Sequence, residues 1–527
     1  MRSLIIFCII GLFIISCARV GTPSGGAKDE LPPVIVSAQP DFESTHFKSR
    51  KIKIHFDEYI KLKDLNKHLI ISPPQKHKPD ITPLGIASKT IVIKLKDTLQ
   101  PNTTYTFNFG NAVVDNAEGN ILQQFRYVFS TGDYVDSLSI NGDVVNLMSD
   151  ELPKNTLVML YSLDSTYNDS TVYLQKPDYI GNTLDNTIFS INNIKQGRYK
   201  LLALKDANNN MVYDPRSDEI GFLTDTIFTP TDSTYRLSLF KEQLPFRVKR
   251  LSEHSKNRLW VPYEGDWSGT ITRVYDSDNK DIPFVSYHSQ SYDSIDVWYK
   301  DVSKDSLFVQ IQTEKDSVFG MRLRKKSQDS LTIKSAISGT LHPNDSLFLK
   351  SNTPIIGVNP DLIQMMDKDS VTVSCNTIVD NNQPLKVLLD FEREPENNYH
   401  VSILPGAFQD FFDRTNDSIR FSVKTKKTTN YGEIILTVNT EKPVIVELLT
   451  DDNKLITTRK INQTGDLKFS QLIPDKYKFK VIIDSNNNGR WDTGNYLEHR
   501  QPETVIYPGI NINLRANWTT NESINID

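Results

Sequence analysis

Cysteine is scarce in this chain: three residues in 527. Cys8 and Cys17 fall near the amino terminus, which leaves Cys375 without an intramolecular partner and excludes a disulfide framework. Cohesion must come from packed cores. No stretch approaches 18 consecutive apolar residues, so the sequence writes no membrane-spanning helix. Charge of neither sign dominates, with 60 Lys+Arg against 65 Asp+Glu, and this excludes the basic footprint of a nucleic-acid binder. The nine histidines are scattered, and no H-E-x-x-H, P-loop, G-x-S-x-G or G-x-G-x-x-G occurs. The chain therefore reads as non-catalytic. Aromatics at 10% and charged residues at 24% are ordinary for folded protein and exclude wholesale disorder. The length predicts about three to five domains.

Arg2 and the apolar run Leu4 to Ile15 have the form of a signal-peptide n-region and h-region. The run ends in Ile14-Ile15-Ser16-Cys17, which resembles a lipobox. That resemblance implies cleavage after residue 16, acylation of Cys17, and anchorage by about 0.8 kcal/mol per buried methylene. The alternative is an ordinary signal peptide that happens to contain cysteine. Ala18, with no early acidic residue, resembles the sorting pattern of Gram-negative outer-membrane lipoproteins. The expected location is the outer membrane, on its periplasmic or its outer face. Residues 17–30, rich in Gly and Pro, read as a flexible tether.

From residue 31 the pattern is that of strands. Ile52, Ile54 and Phe56 alternate with polar neighbours, as do Tyr105, Phe107 and Phe109. Turn clusters such as Ser72-Pro73-Pro74 punctuate the runs, and no long amphipathic helix is seen. The predicted class is all-β, a tandem of β-sandwiches. Pro32-Pro33-Val34, Ile54-x-Phe56-x-Glu58, Leu99-x-Pro101-x-Thr103-x-Tyr105 and Phe129-Ser130-Thr131-Gly132 resemble the bacterial Ig-like domain of the S-layer-protein type. The resemblance covers 31–133 and implies a sandwich whose shared positions are structural. A looser version spans 337–427, where Tyr399, Gly406, Asp410 and Phe421 to Thr425 parallel Tyr105, Gly110, Asp115 and Phe129 to Thr131.

A second pattern also recurs. Tyr199 precedes Asp206 by the same interval that separates Tyr477 from Asp484, and each pair leads a strand into an Asn-rich loop. The segments 134–243 and 428–527 resemble prealbumin-like or carboxypeptidase-regulatory-like sandwiches. Between the two pairs, 244–336 reads as a β domain of unknown type.

The Asn-rich loops are the one chemical constellation. Asp206, Asn208, Asn210 and Asp214 stand at positions 1, 3, 5 and 9 of the first loop. Asp484, Asn486, Asn488 and Asp492 stand at the same positions of the second. Calcium takes six to eight hard oxygens, and alternate side chains of a curled loop supply them. Calcium is thus the one cofactor the sequence suggests. Gly489 at position 6 meets the need for positive φ, but Met211 replaces it in the first loop. Neither loop has Glu at position 12, and Glu219, Glu498 or Glu503 can substitute only if the chain folds back. The alternative is a pair of hairpin tips whose Asx turns satisfy the backbone without metal.

Two functions fit these features. One is a lipid-anchored scaffold that binds outer-membrane or other envelope proteins. The other is a surface-displayed adhesive or carbohydrate-binding lipoprotein, with Trp260 and Trp267 as anchors. Phe408, Phe411 and Phe412 fall in an expected loop.

Overall fold

The structure is a computed structural model that describes residues 28–288, 293–313, 316–380 and 382–526. The signal segment and the acylation site Cys17 lie outside these residues. The described chain is all-β, as expected: its only α-helices are the four-residue turns Leu65–His68 and Thr171–Leu174.

The first module packs two sheets. One runs in the order Ile35–Gln39, Lys51–Leu62, Ser88–Lys94, Asp80–Thr82, and Val113–Asp115 pairs with the far end of Lys51–Leu62. The other contains Ile70–Ser72, Thr104–Gly110 and Phe125–Ser130. The alternation seen in the sequence places Ile52 opposite Ile93 and Ile54 opposite Ile91. Those side chains meet Phe107, Phe109, Tyr127 and Phe129 of the facing sheet in one buried core. Each such side chain contributes about 1.5–3 kcal/mol by leaving water.

The same strand order recurs twice. In the fourth module Ile333–Ser335, Leu347–Ser351, Lys386–Asp390 and Asn376–Val379 repeat the first sheet. Its second sheet holds Ile363–Met366, Asn398–Ile403 and Ile419–Lys424, with Gly339–Thr340 added at the edge. The hydrogen bonds repeat as well. The Tyr105 hydroxyl accepts from Gln100 N at 2.9 Å, and the Tyr399 hydroxyl accepts from Glu394 N at 2.7 Å. Thr131 and Thr425 each accept one backbone N–H and donate to the carbonyl of the residue that holds the tyrosine.

The third module was unassigned in the sequence, yet it has the same order. Ser252–Ser255, Arg258–Glu264, Ser294–Tyr299 and Phe284–His288 form one sheet, and Thr270–Asp276, Ser306–Gln312 and Ser317–Arg322 form the other. Its core of Leu259, Val261, Val297 and Val309 lacks the Tyr–Thr clamp, and so lacks the sequence marks of its neighbours.

Phe408 is not in a loop. It begins the strand Phe408–Asp410, paired with Ile355–Val358, and is fully buried; Phe411 is buried beside it. Asp and Asn surround these residues, and that composition mimics a loop. Cys375 is half-buried against the fourth module's core, and burial pushes its thiol up to about 11, so it stays an unreactive neutral group near neutral pH.

The second and fifth modules share another topology. In the second, Ile188–Ile194, Leu138–Asn146 and Thr234–Leu239 face a sheet ordered Tyr179–Asn182, Leu157–Ser162, Gly197–Lys205, Glu219–Phe222. In the fifth, Gly465–Leu472, Gly432–Thr440 and Thr519–Ile526 face Leu455–Ile461, Val444–Thr450, Lys476–Ile483, Val505–Ile506. In both modules the last strand lies parallel to the first. Tyr199 donates to Lys195 O at 2.9 Å and Tyr477 to Ile473 O at 2.7 Å, the same corner built twice.

Candidate functional site

Each Asn-rich loop leaves the end of a central strand, Gly197–Lys205 or Lys476–Ile483. The second loop brings its predicted residues together. Asn486 Nδ2 and Asn488 Nδ2 both donate to Asp492 Oδ2, at 2.6 Å each. Buried Asp484 accepts from Asn488 N and Gly489 N. Gly489 has φ 79°, the left-handed turn its position requires.

The first loop does not converge in this way. Asp206 accepts from Asn208 N and Met211 N, and Asn208 Nδ2 donates to Ser217 Oγ. Asn210 and Asp214 each accept the N–H two residues on. Met211 takes φ 62°, so the turn is the same although a side chain must tolerate it. Among the described residues no three His, Cys, Asp or Glu form a metal-holding group.

One carboxylate in each loop does fold back. Glu503 accepts Ser485 N at 2.7 Å and Asp492 N at 3.1 Å. In the first loop the same two positions, Ala207 N and Asp214 N, donate to Asp218 at 3.1 and 2.9 Å. The sequence singled out Glu219 here, but Glu219 points to Lys205 instead. Asp218 is fully buried. Only the alignment of the two loops in space shows that a short acid near its strand and a long acid farther away do the same job.

The loops also build a seam between modules. The strand Gly197–Lys205 is buried on both faces. Tyr199, Leu201 and Ala203 enter the second module's core, and Leu202 and Leu204 point the other way. In the fifth module the positions that correspond to Leu202 and Leu204 are Lys480, paired with Glu447 at 3.1 Å, and Ile482, so that its outer face is partly charged there. The second module's outer face therefore needs a cover, and the fifth module supplies it.

Tyr496, fully buried, packs with Met159, Tyr161, Phe222 and Phe240 in one cluster, with Met211 and Trp491 at its margin. The Tyr496 and Tyr167 hydroxyls are 2.8 Å apart. Gln501 Nε2 donates to Phe222 O at 2.9 Å and Thr493 Oγ1 to Lys241 O at 2.6 Å. Lys478, nearly buried, pairs with Asp150 at 2.7 Å. At Gly494 a Cβ would meet the Phe240 ring at 2.5 Å, so only glycine lets the chains approach this closely.

Smaller contacts join the modules that follow one another. Thr106 Oγ1 reaches Asn193 Oδ1 at 3.2 Å between the first and second. Arg216 pairs with Glu264 at 3.6 Å and Lys300 with Asp413 at 2.7 Å. Asn344 Nδ2 donates to Ser470 O at 3.1 Å. With the seam, modules two to five close into a ring of contacts.

The tryptophans that the sequence offered as anchors are engaged internally. Trp260 stacks on His254 and donates to Asp296 at 2.7 Å, and Trp267 packs on Phe246 and Tyr263.

Residues 29–131 match the bacterial Ig-like domain family. No curated protein sequence matches the chain. Among solved structures, the chain is similar to domains MG0-NIE-MG1 of native alpha-2-macroglobulin from Escherichia coli, at 12% identity over 34% of this chain and 70% of that one, with a TM-score of 0.16. It is similar to domains 1-6 of the surface layer protein SbsC, at 10% identity over 90% of this chain and 66% of that one, with a TM-score of 0.15. A Bacteroides ovatus SGBP-B, solved with a mixed-linkage heptasaccharide, shares 10% identity over 72% of this chain and 92% of that one, with a TM-score of 0.18.

Proposed function

We propose that the chain is a non-catalytic scaffold, fastened to the outer membrane through Cys17, that holds envelope proteins in place. The observation that supports this reading is the closure of modules two to five. A tandem of sandwiches joined only end to end would flex at each junction. Here the apolar outer face of the second module is spent on the fifth, which fixes the spacing of all four. Sheet edges and loops outside the seam then present docking surfaces at set separations. Affinity capture of the acylated full-length chain from membranes, after cross-linking, tests this. Co-recovery of the same envelope protein at near-equal amount supports the scaffold, and recovery of the chain alone overturns it.

In this reading the Asn-rich loops take calcium to stiffen the seam, because Met211 and Trp491 carry each loop into the shared cluster. The second loop is the stronger candidate, since its Asn486, Asn488 and Asp492 side chains already meet. Calcium at about 100 times its Kd adds about 2.7 kcal/mol to the state that binds it. The expected result is a higher melting temperature for the fifth module in calcium than in chelator, and no such rise in the Asp492→Asn variant. An identical melting temperature in both solutions overturns the calcium assignment and leaves the Asx turns as the loops' whole purpose.

A further inference from the structure

Two acidic side chains of the second module reach across the seam to the docking loop of the fifth. Glu242 lies just beyond the second module's last strand and is 9% exposed. Its Oε1 accepts the backbone N–H of Tyr496 from the docking loop. Tyr213 and Tyr173 face it from the second module, and the buried Tyr213 hydroxyl is directed at its carboxyl. From the docking loop Glu498 and Arg500 act on it, but these two pair with each other. Burial raises the Glu242 carboxyl above its ordinary value, and the Tyr496 N–H and the Tyr213 hydroxyl offset this only in part. The second contact is His499 Nε2 to Asp169 Oδ2 at 3.2 Å, with the imidazole ring edge-on to Tyr496. It is an ion pair only when the imidazole is protonated.

We propose that the seam is a proton-tightened clasp centred on the buried Glu242: its protonated form holds the fifth module on the second, and its ionised form loosens the contact. In the open state Glu242 is hydrated and has an ordinary carboxyl. The closed state therefore binds the proton more tightly. Closure is fully favoured below the open-state value and weakens as pH rises through the closed-state value. Lys478–Asp150 acts in the opposite sense. Burial pushes the Asp150 carboxyl up, but hydrogen bonds from Lys478 and Asn453 outweigh this and hold it down, so that pair fails only in strong acid. The clasp is thus tightest in mild acid.

The test is the distance between spin labels on the full-length chain. Labels at Asp185→Cys and Gln463→Cys, both exposed, sit on the two modules in a chain whose native cysteines are replaced. Samples frozen from about pH 5 are expected to show one short distance. Samples from about pH 8 are expected to add a longer one, with the open-to-closed ratio raised over that at about pH 5. Glu242→Gln, an uncharged isostere, should remove most of this response while the short distance persists. A distance distribution that does not change with pH overturns the proposal. So does a full response retained in Glu242→Gln.

Discussion

Replacing Tyr496 with alanine is expected to release the fifth module from the second without unfolding either. Tyr496 sits outside the core of its own module and inside a cluster built almost wholly by the other. Its removal deletes a fully buried aromatic ring, the hydroxyl contact to Tyr167 and the edge-on contact to Phe222. Truncating a buried aromatic costs about 3–5 kcal/mol in a packed site. The seam is an intramolecular contact, so that cost falls on the closing equilibrium and not on the folding of either sandwich. Solution scattering should show a larger radius of gyration, while circular dichroism remains that of the native β-protein. Tyr496→Phe, which keeps the ring and loses one hydrogen bond, should shift closing by about 1 kcal/mol. An unchanged radius in Tyr496→Ala would mean that the polar contacts alone hold the seam.

Asp410→Ala is expected to be the most damaging single change outside the seam. Asp410 is fully buried, and its Oδ1 accepts Phe412 N and Arg414 N at 2.9 Å each. Its Oδ2 accepts Thr353 Oγ1 at 3.0 Å and the Arg414 guanidinium at 2.6 Å. Alanine leaves a half-buried cation, a hydroxyl and two backbone N–H groups without partners. Breaking a buried pair in this way costs about 3–5 kcal/mol. Arg414 also donates to Asp329 O at the junction with the third module, so both modules should unfold at lower denaturant. Asp115 caps the corresponding turn of the first module through four backbone N–H groups and binds no arginine there. Asp115→Ala should cost less, because it strands no cation. Equal losses in the two variants, followed by urea unfolding, would refute the role given to Arg414.

Much of this architecture was legible in the sequence, and the reasons are local. Period-two alternation at Ile52, Ile54 and Phe56 reports a strand with one buried face, whatever lies on the other side. The tyrosines at 105 and 399, and at 199 and 477, mark corners whose hydrogen bonds close within five residues. A repeated corner therefore reads as a repeated module. The third module escaped because its Ig-like order resides in long-range pairings such as Arg258–Glu264 with Ser294–Tyr299, which no short motif records.

The Asn-rich loops were half legible. Their spacing gave the turns, and positive φ at position 6 was met by glycine in one and by methionine in the other. The fold-back acids were not resolved, since Asp218 and Glu503 reach equivalent N–H groups from different distances along the chain. The seam itself left one trace that went unused. Leu201, Leu202, Ala203 and Leu204 form a run with no polar alternate, the mark of a strand buried on both sides. What covered the second side lay about 300 positions away, beyond the reach of local pattern.

Zero-length carbodiimide coupling of the full-length chain tests the closure most directly. Lys478 and Asp150 are 2.7 Å apart across the seam, although 328 positions separate them in sequence. Mass spectrometry of the monomer, digested after coupling in mild acid, is expected to find the Lys478–Asp150 amide, and Tyr496→Ala should lose it. A monomer that forms local cross-links such as Lys480–Glu447 but never joins Lys478 to Asp150 would show that the modules do not close.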